Sequence, residues 1–126
     1  ETTLKEVEAA GPGNVVVVEI PREHVTEVFT GFGQRGVPAE TVAAGVAREA
    51  SRYLEAGVPV GEHLADQLLL PMALAGGGRY RTTEPTAHTT TNADTIREFL
   101  DVPVRIQKVC DDAFEIRVGS ADRSEE

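Results

Sequence analysis

The sequence predicts an α/β domain of the α+β kind, with helices packed on one face of a sheet. Three observations carry this. A β-branched run, "NVVVVEI" at 14–20, has the length and composition of a buried strand. Between Val42 and Leu54 apolar residues recur at helical spacing, with Arg48, Glu49, Arg52 and Glu55 on the opposite side. Two strand-like segments, "VPVRIQKV" and "AFEIRVG", flank the tight turn "CDDA". At 126 residues and 40% apolar, the chain suffices for one compact core. With two Tyr, four Phe and no Trp, that core is aliphatic.

In chain order, residues 1–13 are acidic, end in "GPG" and are expected to be a flexible lead; 14–119 is the folded region. Residues 120–126 are expected to be a disordered acidic tail. Pro21 ends the first strand because it has no N–H for the ladder. "HVTEVFTGF" then alternates, with Val25, Glu27, Phe29 and Gly31 on one side and Thr26, Val28, Thr30 and Phe32 on the other. The short link "PRE" makes these two strands antiparallel neighbours.

A Gly-rich loop delivers Pro38 into the first turn of a helix, where a missing N–H costs nothing, and Gly57 stops that helix. A second helix runs from Glu62 to about Leu74, with Leu64, Ala65, Leu68, Leu69, Met72 and Ala73 as its apolar face. Pro71 is expected to kink or break its last turn. "GRYRTTE" reads as a strand. "TTNADTIREFL" reads as a third helix, opened by a Thr with an Asp three residues on, an approximate capping box. The order is β-β-α-α-β-α-β-β.

The formal net charge of −9 argues against a sequence-independent nucleic-acid binder, although a local basic cluster is compatible with it. Ten Arg against two Lys, among many acidic residues, is the composition of a salt-tolerant surface. The single cysteine, Cys110, forms no internal disulfide and supports no zinc site, so a reducing, cytoplasmic setting is expected. The start of the sequence lacks the basic-then-apolar pattern of a secretory leader. No apolar run approaches membrane-spanning length, and no membrane partner is expected.

Chemistry centres on the histidines. His24 is an exposed turn residue. His63 stands three and four positions before Asp66 and Gln67 on one helical face, for which a solvated polar stripe is the plain account. His88, in "EPTAHTTTNADTI", precedes a predicted helix whose free N–H groups and dipole favour an anion such as phosphate. Thr89, Thr90, Thr91 and Asn92 add polar donors, and a neutral imidazole is nucleophilic. A capping cluster with an incidental histidine accounts for the same residues. "AGGGR" lacks the Walker spacing, and "GFGQRG" lacks the dinucleotide-binding one. Asp111 and Asp112 are ordinary turn residues.

"GVPVGEHLADQLLLPMALAGGG", followed after a strand by "PTAHTTTN", resembles the C-terminal part of the RNA 3'-terminal phosphate cyclases. "VTEVFTGFGQRGVPAE" looks like the same family, so the resemblance runs from Asn14 to about Val118. It implies the β-α-β-α-β-β repeat unit shared by these cyclases and the enolpyruvyl transferases. It also implies ATP-dependent conversion of an RNA 3'-phosphate end to a 2',3'-cyclic phosphate through a covalent histidine–AMP. A divalent metal, Mg or Mn, is implied for the complete enzyme. By resemblance His88 is the catalytic nucleophile, and Asp66, Gln67, Thr91 and Asn92 contact the nucleotide. His63 stands where the family's helix carries a tyrosine that stacks on adenine, a departure that reduces the stacking area. The chain resembles only the last third of such proteins, so the missing N-terminal part is an expected partner, together with RNA and ATP. Two other classes fit the architecture: a non-catalytic relative that binds RNA in ribosome assembly, and an enolpyruvyl transferase. The intact histidine block weighs against both.

Overall fold

Side-chain alternation sets the first two strands. In the computed structural model, which describes residues 1–120, β1 (Val15–Pro21) and β2 (Thr26–Phe32) pair antiparallel, with Val15 opposite Phe32 and Pro21 opposite Thr26. Among the described residues they form a two-stranded sheet. One face packs on α1 (Ala39–Ala56), and from the other Val15, Val17, Val28 and Phe32 stand exposed. The β-branched run is therefore not a buried strand as its composition suggested: β1 alternates exposed and half-buried because only one face has a partner.

The helix α1 buries a stripe of Val46, Ala50 and Tyr53, narrower than the sequence periodicity implied, with Leu54 left 51% exposed. Pro38 is its N-cap rather than part of its first turn, and Gly57 ends it in the left-handed conformation at φ 64°. Tyr53 fastens three segments. Its ring lies 5.6 Å from that of Phe29 on β2, its hydroxyl donates to the Pro59 carbonyl at 3.0 Å, and Arg22 Nε donates to it at 3.2 Å.

The chain then builds a second unit. Val60 forms a parallel bridge with Thr82 and leads into α2 (Glu62–Leu74), β3 (Gly78–Thr82), α3 (Ala87–Leu100), β4 (Val104–Cys110) and β5 (Ala113–Val118). The sheet order is β3-β5-β4, all antiparallel. With Val60 counted as its first strand, this segment runs β-α-β-α-β-β. Ala65, Leu69 and Ala73 of α2 and Ala93 and Ile96 of α3 pack against Tyr80, Val104, Ile116 and Val118 on one face of the sheet. The fold is α+β with the predicted element order, its strands divided between two sheets.

Two expectations are corrected. The helix α2 is not broken at Pro71 but continues to Leu74: the proline leaves the Gln67 carbonyl without its donor, and one further turn closes after it. Ala75 N–H closes that turn on the Pro71 carbonyl at 2.9 Å. The helix α3 begins at Ala87, not near Thr91: Thr86 is the N-cap, its hydroxyl accepting from Thr89 N–H at 3.3 Å. Residues 1–13 form no helix or strand and are exposed; the acidic tail, beyond Ser120, lies outside the described residues. Among the described residues no helix is long and apolar enough to cross a membrane.

The glycine cluster after α2 serves packing. Gly77 has φ 121°, and a Cβ there would lie 2.6 Å from the Val118 carbonyl oxygen. Gly77→Ala is expected to lower stability by about 2–3 kcal/mol through strain and overlap. Gly45, within α1, meets nothing closer than 4.0 Å, so Gly45→Ala should raise stability by about 0.5–1 kcal/mol. Urea midpoints of the two variants, moving in opposite directions, check both.

Candidate functional site

Both helices of the second unit begin at one edge of its sheet. Val60 N–H donates to the Arg81 carbonyl at 3.2 Å, and the Thr82 hydroxyl faces the Gly61 carbonyl at 3.5 Å, so α2 starts beside the end of β3. Only residues 83–86 separate that same end from Ala87, the first residue of α3. The two N-termini therefore open together.

Each start exposes backbone donors. In α3 the Thr86 hydroxyl and carbonyl take the N–H groups of Thr89 and Thr90, leaving those of Ala87 and His88 without a protein acceptor among the described residues. The helix α2 has no side-chain cap of its own; instead the Gly61 N–H donates to the carboxylate of Glu27, which is 5% exposed on β2. Glu27 is a position at the helix start that sequence reasoning left as an ordinary strand residue. Its signal was a carboxylate on the inward side of an otherwise apolar alternation.

His88 is exposed in the first turn of α3, inside the helix rather than ahead of it. Thr91 and Asn92 follow three and four positions later on the same side. Asn92 reaches across to α2, its amide donating to Asp66 Oδ1 at 3.0 Å and to the Asp66 carbonyl at 3.3 Å. Thr91 is exposed. The other threonines are occupied: Thr89 is fully buried against Thr86, and Thr90 bonds back to the carbonyls of Thr86 and Ala87. That back-bonding satisfies the Thr90 hydroxyl within the first turn and leaves it unavailable to a ligand.

His63, Asp66 and Gln67 do not share one environment. His63 and Gln67 line a cleft of about 380 Å³ with Glu27, Phe29, Thr30 and Glu49, and His63 also borders one of about 340 Å³ with Arg52, Tyr53, Glu62 and Glu84. Asp66 turns instead to α3. His63 is open to solvent, its side chain 72% exposed and its Nε2 3.5 Å from Glu62. The clefts are acidic, with Glu27, Glu49, Glu62 and Glu84 against Arg52. Under α2, the Tyr80 hydroxyl donates to the Ala65 carbonyl at 2.5 Å. Burial, and then the nearby Asp66 carboxylate, pushes the pKa of that phenol well above its ordinary value, so it remains a donor. Among the described residues no group of three or more His, Cys, Asp or Glu gathers as a metal site.

A family model described as RNA 3'-terminal phosphate cyclase matches residues 2–106. An RNA 3'-terminal phosphate cyclase of Ralstonia nicotianae is 57% identical over 99 residues, covering 79% of this chain and 28% of that protein. One from Pseudomonas fluorescens is 53% identical over 100 residues, covering 79% and 29%. One from Koribacter versatilis is 42% identical over 116 residues, covering 92% and 32%. The chain thus spans under a third of the length of these relatives.

The Asp66–Asn92 contact predicts a charge effect. Asn92→Asp sets two carboxylates together and is expected to cost about 1 kcal/mol at neutral pH, discounted for partial exposure. The loss should shrink as pH falls through the carboxylate range. Denaturation of the double variant Asp66→Asn/Asn92→Asp, which restores an amide–carboxylate pair, should recover most of it.

Proposed function

The chain belongs to the RNA 3'-terminal phosphate cyclase family, and on that premise we propose that it carries the nucleophile for ATP-dependent cyclisation of an RNA 3'-phosphate end. The observation that carries the reading is the placement of His88: an exposed imidazole in the first turn of α3, beside the start of α2 and one turn before the Asn92–Asp66 link.

The imidazole attacks the α-phosphorus of ATP. A P–N bond forms, the P–O bond to the β-phosphate breaks, and pyrophosphate leaves. A phosphoramidate is labile enough to hand its adenylyl group onward, which divides one difficult step into easier ones. An oxygen of the RNA 3'-phosphate then takes AMP from His88. The neighbouring 2'-hydroxyl attacks that activated phosphorus, closing the 2',3'-cyclic phosphate and expelling AMP.

The residues present suit a nucleotide. The N–H groups at the start of α3 offer donors to phosphate oxygens. Repulsion by its glutamates makes the His63 cleft a poor phosphate site but compatible with a neutral nucleoside, against which His63 stacks and Gln67 hydrogen-bonds. Asp66 acts at one remove, holding Asn92 and through it the face of α3 that bears His88. The described residues do not form a metal site, so no step is assigned to a divalent ion. The work is soluble chemistry in the cytoplasm, on RNA, with the remainder of the full-length protein supplying what this chain lacks.

Incubating the full-length protein with α-phosphate-labelled ATP, without RNA, tests the reading. An acid-labile adenylyl label is expected on His88, falling to background in His88→Ala; label that survives this substitution overturns the assignment. His63→Ala should raise the KM for ATP about fivefold through weaker stacking, with little change in the labelling rate at saturation.

A further inference from the structure

The sheet of the second unit has a face that α2 and α3 do not cover; α1 reaches it at Ala113, at the start of β5, and the rows beyond Ala113 are polar. Tyr80, Ile116 and Val118 point to the helices, so strand alternation turns Arg79, Arg81, Arg105, Arg117, Glu115 and Gln107 the other way. The register aligns them in rows. Arg79 and Arg105 both stand opposite Arg117, and the next row is Arg81, Glu115 and Gln107. Like charges directly opposite one another are unfavourable. Among the described residues, four arginines of this face share one carboxylate, and Arg117 Nε donates to it. Among the described residues Arg79, Arg81 and Arg105 have no ion pair and are exposed. The bond from Arg117, and then the charges of Arg117, Arg79 and Arg81, hold the Glu115 carboxyl below its ordinary pKa against the opposing effect of burial.

We propose that this arginine-lined sheet face holds the sugar–phosphate backbone of the RNA strand leading to the end being cyclised. The inference rests on the cyclase reading and extends it to a surface away from the reacting groups. On a chain of net charge −9 the patch reverses the local sign, and a polyanion is its complement. Its position suits a strand whose end is at His88. Arg81 immediately precedes Thr82 at the edge where α2 and α3 begin, and Arg79 lies one row, roughly 7 Å, further back. A strand passing from that edge along the β3 side of the sheet, clear of the α1 cluster at Ala113, meets the two rows in succession. Guanidinium groups, planar and always charged, suit phosphate contacts independent of base sequence.

The test uses the full-length protein and two fluorescent single-stranded oligoribonucleotides, one short and one long, both 3'-phosphorylated. In R79Q/R81Q/R105Q, which keeps the Arg117–Glu115 bond, affinity for the long strand should fall by at least about tenfold. The slope of log affinity against log salt should shrink by roughly 2, because three phosphates of the strand are no longer neutralised. The short strand should bind unchanged, and R79K/R81K/R105K should retain most of the affinity. A charge-matched control elsewhere, K5Q/R35Q/R48Q, should bind like the parent. Unchanged affinity and slope in R79Q/R81Q/R105Q overturns the proposal and leaves the face to a protein partner; an equal loss in the control overturns it as a mere net-charge effect. Labelling by ATP without RNA separates the two readings. Failure of the parent to label, with RNA binding still dependent on the arginines, removes the cyclase mechanism and leaves the surface; normal labelling with arginine-independent binding does the reverse.

Discussion

A carboxylate taken out of water must find a donor, and Glu27 finds one in the backbone of another unit. Its partner is the Gly61 N–H at the start of α2, so one bond joins the β1–β2 hairpin to the helix that carries His63, Asp66 and Gln67. Gly61 fits because it has no side chain: a Cβ there would stand 3.2 Å from the carboxylate. Tyr53 reinforces the junction from α1 by bonding to Pro59, two residues ahead of Gly61. The clefts beside His63 exist because this junction fixes the hairpin against the helix start. Asn92 then ties α3, the helix that bears His88, to α2.

The charges are sorted by face. The clefts at the hairpin junction collect glutamates, the helix starts present bare N–H groups, and the far side of the three-stranded sheet collects arginines. On the proposed function, a neutral nucleoside, the phosphate of a transferring adenylyl group and a polyanionic strand would each meet the environment that suits it. The overall acidity of the chain conceals this arrangement, since composition averages over faces that never touch the same ligand.

The order and kind of every element were legible because each rests on local signals: alternation in β2, a helical stripe in α1 and α2, and a tight turn between β4 and β5. What escaped was non-local or competitive. The split into two sheets depends on which distant strands pair, and no periodicity within one strand records that. The start of α3 was misplaced because threonines favour capping geometries, and Thr86 competed successfully with Thr91 for the role. Separation of Asp66 from Gln67 needed the position of α3, as the arginine rows needed the registers of β3, β4 and β5. His88 and its neighbours stand out because the motif is contiguous; Glu27 does not, because its partner lies in another element.

The β1–β2 hairpin carries a consequence of a different kind. Both of its strands are edge strands, with unpaired backbone groups along their outer sides, and Val15, Val17, Val28 and Phe32 project from the face that α1 leaves open. Such a ribbon is a template for adding further strands. Studied by itself in solution, the chain is held between two opposing tendencies: its charge of −9 keeps copies apart, while the hairpin draws them together. Added salt weakens only the first. Ionic strength therefore shifts the balance between the two, and the open face of the hairpin is the surface on which association is expected.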